Sequence, residues 1–208
     1  MRDLSAIELD ALKEVGTVGA GNAATVLSSL LGQRVPMTVP EARLLPISMV
    51  PDVVGGAEAE VVGVCLSVTG DAPAAILFLL LLHDGQKLVR QLLGGAAPEQ
   101  ITFNEFERSA LGEVTNILSG AYLQALSEFT GLSFAPSPPA FAHDMAGALL
   151  DTVFAEIGQV GDYALLIDTE FMTGDQGVKG HFFLVPDPEG LTTILQALGV
   201  REWRPREL

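Results

Sequence analysis

The sequence is poor in cysteine and in positive charge, and each shortage excludes a class of protein. Its one cysteine, Cys65, cannot form a disulfide within the chain, which is typical of a protein that folds in a reducing cytoplasm. Only 11 Lys and Arg side chains stand against 26 Asp and Glu, so the net charge is −15. A surface this acidic repels the phosphates of nucleic acids and of anionic lipids. We therefore expect a cytoplasmic protein that binds neither nucleic acid nor a membrane.

Long hydrophobic runs are also missing. The longest, APAAILFLLLL at 72–82, has eleven residues, whereas a helix that crosses a bilayer needs about 20. The run is therefore predicted to be a strand buried on both faces of a sheet. The first ten residues, MRDLSAIELD, carry acids where a signal peptide would be apolar, which favours a protein that is not exported.

Histidine is scarce, and its spacing does not indicate a metal centre. His83, His143 and His181 are dispersed along the chain and show none of the short intervals at which metal ligands recur. We expect no metal site and no cofactor bound by this chain.

Glycine, by contrast, is concentrated near the start of the chain. The segment GAGNAA at 19–24 matches G-x-G-x-x-A, the pattern of a loop that holds a dinucleotide pyrophosphate. Such a loop must follow a strand, but the preceding residues, SAIELDALKEV, have the periodicity and charge spacing of a helix. The dinucleotide interpretation is therefore rejected, and the glycines are expected to allow two helices to approach closely.

The chain contains two similar halves. With an offset of 99, residues 5–32 align with 104–131, and with an offset of 105, residues 76–95 align with 181–200. In the first pair, Ser5 and Asn104 are each followed three residues later by Glu, the spacing of a helix capping box. A glycine that can adopt the left-handed conformation ends each segment, at Gly32 and Gly131.

These similarities predict an α/β fold in a single domain, 1–208, made of two repeats at about 5–95 and 104–200. Each repeat is expected to contain a long helix, about three strands and a short helix. One such unit would leave a sheet edge and a sheet face uncovered. We therefore expect the two units to pair about a pseudo-twofold axis, with both long helices packed on a sheet of about six strands.

The second long helix carries a polar stripe. Ser109, Glu113 and Asn116 stand at positions i, i+4 and i+7, which lie on one side of a helix. Pro139 follows Asn116 after 22 intervening residues, so the segment has the form S-x3-E-x2-N-x22-P.

The first long helix carries the corresponding stripe with one replacement. Asp10, Glu14 and Thr17 have the same spacing, and Pro40 again follows after 22 residues. Threonine stands where the second copy has asparagine. A single Glu and Asn on a helix usually belong to a solvated face, but the repeated spacing favours a function.

The pattern D/S-x3-E-x2-N-x22-P, complete in the second copy and repeated in the first with Thr17 in place of Asn, resembles the CheC family of chemotaxis phosphatases. The resemblance covers nearly the whole chain and includes the segment KEVGTVGAGNAAT. It implies hydrolysis of the phospho-aspartate of a CheY-type response regulator, which supplies its own Mg²⁺. It also implies that Asn116 orients the attacking water and that Glu113 pairs with a lysine of the regulator, with Ser109 in support. Pro139 and Pro40 are expected to be structural.

The replacement at Thr17 predicts that the two sites differ in activity. A hydroxyl on a β-branched side chain is shorter than an amide and has fewer rotamers. The first site is therefore expected to bind a regulator through Glu14 and to hydrolyse its phosphate poorly.

A second hypothesis comes from the same resemblance. CheC-like proteins also bind the deamidase CheD, so the chain is alternatively a non-catalytic adaptor for CheD, for the phosphorylated regulator or for both. A phosphatase assay with and without CheD separates the two hypotheses.

Overall fold

The structure is a computed structural model, and it describes residues 6–32, 34–39, 41–94, 102–157, 162–173 and 176–199. The helices are α1 Ala6–Leu31, α2 Val50–Val53, α3 Leu82–Leu92, α4 Glu105–Thr130, α5 Ala146–Ile157 and α6 Pro188–Ala197. The strands are β1 Met37–Thr38, β2 Ala42–Pro46, β3 Glu60–Gly70, β4 Ala74–Leu81, β5 Phe134–Pro136, β6 Ala140–Met145, β7 Tyr163–Thr173 and β8 Gln176–Pro186.

The strands form one antiparallel sheet in which the two halves of the chain are interleaved. Its order is β1-β7-β8-β4-β3-β5, with β2 also paired to β7 and β6 also paired to β3. The short strands of each half thus cover the outer edge of the other half's hairpin, and β4 pairs with β8 at the centre. Each half therefore supplies the edge pairing that the other lacks.

The predicted α/β fold class, with two long helices on a sheet and a short helix after each half, is confirmed. The order helix, two strands, helix, two strands, helix occurs twice among the described elements. That repetition is consistent with an internal duplication, although the division into repeats 5–95 and 104–200 stays a prediction.

Two details of the predicted halves were wrong. The sheet has eight strands where about six were expected. β1 and β5 were not predicted because they are only two and three residues long, too short to show an alternation of apolar and polar residues. The segment 153–171, VFAEIGQVGDYALLIDTEF, has a strand-like sequence, but its first residues, 153–157, belong to α5. Their apolar run is too short for periodicity to distinguish a buried helix from a buried strand.

The sheet separates two apolar layers. Ile76, Phe78 and Leu80 of β4 pack in the layer that contains α1, α3 and α4. Leu77 and Leu79 point the opposite way and pack in the layer that contains α2 and α5. The prediction that 72–82 includes a strand buried on both faces is confirmed for β4, because alternate side chains of a strand face opposite sides.

The glycine-rich segment lies inside α1, which runs without interruption from Ala6 to Leu31. Residues on both sides of the glycines are helical, so the strand-to-helix turn of a dinucleotide-binding loop does not exist here. A Cβ atom added to Gly19 would lie 2.3 Å from Cδ1 and 3.0 Å from Cα of Tyr122. Gly19 is therefore a point of close approach between α1 and α4, as expected for a helix contact.

Tyr122 fixes this crossing to the sheet below. Its hydroxyl lies 2.8 Å from Oγ1 of Thr169 on β7, and its ring lies 4.6 Å from that of Phe182 on β8, measured between centroids. Burial raises the pKa of Tyr122 to about 12, and the hydrogen bond with Thr169 opposes that rise only in part.

The predicted ends of the second long helix are also present. The Asn104 side chain accepts hydrogen bonds from the backbone of Phe106 and Glu107, and the Glu107 carboxylate accepts one from the Asn104 backbone. Gly131 ends the helix in the left-handed region, at φ 73°. Gly32 has φ 62° after α1, whereas Ser5 lies outside the described residues.

Substitution of Gly19 tests the helix crossing. We expect Gly19→Ala to lower the free energy of unfolding by about 1–3 kcal/mol, because the new methyl group overlaps Tyr122. Gly21→Ala is the matched control: its Cβ meets nothing within 4 Å, so it should raise the stability by about 0.5–1 kcal/mol. Urea unfolding followed by circular dichroism measures both. Equal shifts in the two variants would contradict the crossing.

Alkaline titration tests the burial of Tyr122. The folded pKa of about 12 lies above the unfolded value of about 10, so the stabilisation is fully present below pH 10 and is lost as the pH rises through 12. We expect the parent to lose about 2–3 kcal/mol more than Tyr122→Phe over that range. Parallel curves of unfolding free energy against pH for the two proteins would show that Tyr122 is not buried as described.

Candidate functional site

Helix α4 presents the polar stripe on its outer side. Ser109, Glu113 and Asn116 are all exposed, and at 100° per residue they span about 60° around the helix axis. The opposite side of the helix is buried in the core through Leu111, Val114, Leu118 and further apolar residues. This packing fixes the rotation of the helix and therefore the direction of the stripe.

The stripe borders a cleft of about 450 Å³. It is lined by Val64, Glu105, Arg108, Ser109, Gly112, Glu113, Asn116, Pro139 and Phe141. The cleft therefore brings together all four residues that the sequence predicted for the second copy. A Cβ on Gly112 would lie 3.6 Å from Cγ of Pro139, so the proline ring lies against the helix between Ser109 and Asn116.

The segment that carries Pro139 is fixed by β3. β5 and β6 both pair with β3, and residues 137–139 lie between them. The Ser137 backbone N–H donates to the carbonyl of Ser67 at 2.8 Å, and the Ser67 N–H donates to Oγ of Ser137 at 3.0 Å. Pro138 and Pro139 have no N–H to donate, which interrupts the strand at this point. This arrangement agrees with the structural role expected of Pro139, which stays a prediction.

Glu113 and Asn116 are available to a partner. In the described part of the chain, neither side chain has a hydrogen-bond or ion-pair partner. Both are exposed, so neither is held by the core. A carboxylate and an amide left free on one helix face can bind water or a second molecule without first breaking an internal contact.

Arg108 is the cleft residue that sequence reasoning missed. Its Nε donates to the carbonyl of Phe103 at 2.8 Å, and its guanidinium carbon lies 5.4 Å from the ring centroid of Phe141. The Phe103 and Phe141 rings pack together at 5.6 Å between centroids. The comparison of the two halves gave no signal here, because residue 9 of the first copy is leucine.

The corresponding stripe on α1 has a different environment. Asp10, Glu14 and Thr17 are exposed, as predicted, but the Thr17 hydroxyl donates to the backbone carbonyl of Lys13 at 2.8 Å. The sequence alignment places Lys13 where α4 has Gly112. Pro40 lies outside the described residues.

A larger groove of about 500 Å³ lies elsewhere, at the start of α6. Its lining includes Cys65, Ser67, Pro138 and one charged residue, Asp187. The Asp187 carboxylate already accepts a hydrogen bond from the backbone N–H of Gly190, where it caps the helix. The groove thus offers no free ionised side chain, and size alone does not make it the functional site.

The described residues also bear on metals and membranes. Among them, no three His, Cys, Asp or Glu side chains are grouped so that they could hold a metal ion. None of the described helices has both the length and the hydropathy to cross a membrane.

Comparisons with known proteins place this chain in a family. The family model that matches is described as the CheC-like family, and it covers residues 7–42 and 106–143, which include both stripes. Over 196 residues the chain is 34% identical to the CheY-P phosphatase CheC of Bacillus subtilis (strain 168), with 92% of this chain and 94% of the relative covered. It is 23% identical over 194 residues to the putative CheY-P phosphatase CheC1 of Halobacterium salinarum, with 91% and 95% covered.

Solved structures share the fold. The FliY crystal structure from Thermotoga maritima superposes with a TM-score of 0.72 at 23% identity and covers 96% of this chain and 99% of its own. The FliM middle domain from H. pylori gives a TM-score of 0.68 at 11% identity, with 93% and 99% covered. At these identities the likeness concerns the fold alone.

Proposed function

The chain belongs to the CheC-like family, and from that premise we propose that it is a hydrolase that removes the phosphoryl group from a phosphorylated CheY-type response regulator. The observation that carries the proposal is the cleft on α4, where Glu113 and Asn116 are exposed and unpartnered beside Ser109 and Pro139. The proposal is supported by the similarity to the CheY-P phosphatase CheC of Bacillus subtilis, which aligns over nearly the full length of both chains.

The reaction needs little covalent chemistry from this chain. Water attacks the phosphorus atom, the bond between phosphorus and the aspartate oxygen breaks, and inorganic phosphate and a free carboxylate result. The aspartyl phosphate and its Mg²⁺ both belong to the regulator. A protein that assists this step contributes by positioning the water and holding the two partners in one geometry.

Asn116 is the residue proposed to position the water. An amide carbonyl accepts a hydrogen bond from water, and the amide N–H₂ can donate to an oxygen of the phosphoryl group at the same time. An amide does not ionise, so its role does not depend on pH. Since α4 is buried along its other side, the amide is offered from a rigid element.

Glu113 is proposed to dock the helix. It lies about one turn before Asn116, and a carboxylate there can pair with a lysine in the regulator's active site. Ser109, one further turn back, can add a hydroxyl contact to the same surface. A salt bridge that forms only in the complex would orient Asn116 without any change in this chain's own core.

We propose that the stripe on α1 binds a regulator but contributes little hydrolysis. Asp10 and Glu14 retain the carboxylates, while the Thr17 hydroxyl is engaged with the carbonyl of Lys13. This site therefore presents a docking group without a free amide at the position that corresponds to Asn116.

The adaptor hypothesis stays a prediction. No described contact identifies a surface for CheD, and binding of CheD does not exclude hydrolysis at α4. The two functions are separated by measuring phosphatase activity with and without CheD, and by testing whether variants of the cleft retain CheD binding.

Removal of the Asn116 amide tests the main proposal. We expect Asn116→Ala to slow regulator dephosphorylation by about 100-fold, because the attacking water is no longer oriented. The measurement is the decay of phosphate on a purified CheY-type regulator. Gln124→Ala is the matched control: it removes an exposed amide from the same helix outside the cleft, where Gln124 bonds to Glu128. If folded Asn116→Ala is as active as the parent, the proposal is wrong.

Insertion of the missing amide tests the first site. In the Asn116→Ala background, Thr17→Asn should restore part of the dephosphorylation rate. An amide would then stand three residues after Glu14, as Asn116 stands after Glu113 in the parent. Thr25→Asn is the matched control, since the exposed Thr25 makes the same hydroxyl bond to the carbonyl four residues earlier, at 2.9 Å. No recovery in the Thr17 variant would show that the loss of the amide is not what limits this site.

A further inference from the structure

Arg108 is held at the wall of the cleft with part of its guanidinium unused. The Nε bond to the carbonyl of Phe103 and the contact with the ring of Phe141 restrain the group. Neither contact occupies the two terminal amino groups, and in the described part of the chain no carboxylate pairs with the side chain. Arg108 is exposed and lines the same cleft as Ser109, Glu113 and Asn116.

The charge of Arg108 is unusual in its setting. The chain has a net charge of −15, and the other ionisable residues that line the cleft are Glu105 and Glu113. Arg108 is therefore the one cation among the cleft's lining residues. A guanidinium presents paired N–H donors that match the oxygens of a phosphoryl group or a carboxylate. Because these two contacts already restrain the side chain, little side-chain entropy is lost when an anion binds.

We propose that Arg108 is a positioning residue that receives an anionic oxygen of the partner's phosphorylated active site as the regulator docks on α4. The inference rests on the proposed function, because it takes the regulator as the molecule in the cleft. It assigns attraction to Arg108 and water orientation to Asn116, so the two residues should affect different kinetic constants.

The same inference gives a second reason for the difference between the two copies. The α1 stripe has Leu9 at the position of Arg108 and Ala42 at the position of Phe141. It therefore lacks both the cation and the aromatic ring that would hold a cation in place. The exposed cation of α1, Lys13, stands instead at the position of Gly112.

The test is a steady-state dephosphorylation assay in which the concentration of phosphorylated regulator is varied. We expect Arg108→Gln to raise KM about tenfold while kcat changes less than about twofold, since a charge-assisted contact made equally in the ground and transition states is lost. The KM of the parent should rise with salt more steeply than that of Arg108→Gln. Lys179→Gln removes one positive charge from the hairpin β7–β8 and should leave KM unchanged.

A lysine at the same position separates docking from local structure. Arg108→Lys keeps the charge but loses the Nε bond to Phe103 and the contact of the guanidinium group with the Phe141 ring. If charge attracts the partner, the KM of Arg108→Lys should lie nearer the KM of the parent than the KM of Arg108→Gln does. Urea unfolding should show both variants to be equally destabilised. Equal KM values for the two variants would overturn the inference, because the contacts within the chain would then explain the effect.

Binding measurements distinguish the source of the anionic oxygen. Affinity is measured for the regulator alone and for the regulator with beryllofluoride, which occupies the position of the phosphoryl group. If Arg108→Gln lowers the affinity only for the regulator with beryllofluoride, the anionic oxygen belongs to the phosphoryl group. If it lowers the affinity for both forms of the regulator, the oxygen belongs to a carboxylate of the regulator. Both outcomes support the inference. An unchanged affinity in both states overturns it.

The outcome for Asn116→Ala distinguishes failure of this inference from failure of the proposed function. If Asn116→Ala is inactive while Arg108→Gln has the parent's KM, the phosphatase proposal stands and only the role of Arg108 falls. If Asn116→Ala is fully active, the proposed function falls first.

Discussion

The crossing of the two long helices is the constraint on which the functional surface depends. Because Gly19 has no side chain, α1 can pack directly against Tyr122 of α4. The Tyr122 hydroxyl forms a hydrogen bond with Thr169 on β7. The helices are thus fixed to each other and to the sheet at one point. This contact and the apolar sides of both helices, which are packed in the core, set their rotation, so the polar stripes face outwards, where a second protein can reach them.

The interleaved sheet makes this arrangement a property of the whole chain. The short strands after each long helix pair with the hairpin of the other half, β5 and β6 with β3, and β1 and β2 with β7. One wall of the cleft, at Pro139 and Phe141, is therefore held by a strand from the first half, while the stripe comes from the second. The cleft cannot form in either half alone.

The site residues that could be predicted from the sequence are those whose spacing along the chain is regular. Ser109, Glu113 and Asn116 were found because helical spacing puts them on one face, and Pro139 because its interval to Asn116 recurs in the first copy. Arg108 depends on contacts with Phe103 and Phe141 that no spacing along the chain encodes. Strands as short as β1 and β5 are likewise defined by their partners in the sheet and not by their own residues.

An exposed helix surface suits a catalyst whose partner carries the reacting bond. An enzyme that encloses a small substrate needs a deep pocket with reactive side chains, whereas the larger groove at the start of α6 has no free ionised side chain among its lining residues. When the reactive phosphoryl group and its metal ion lie in another protein, the catalyst must instead enter that protein's active site. The requirement is then for a few exposed side chains held on a rigid element, and α4 meets it with Glu113, Asn116 and Arg108. The stripe on α1 has the same helical backbone and two carboxylates, Asp10 and Glu14, but no amide at the position of Asn116. A comparison of the two helices therefore shows how much of the activity depends on the side chains and how much on the fold that presents them.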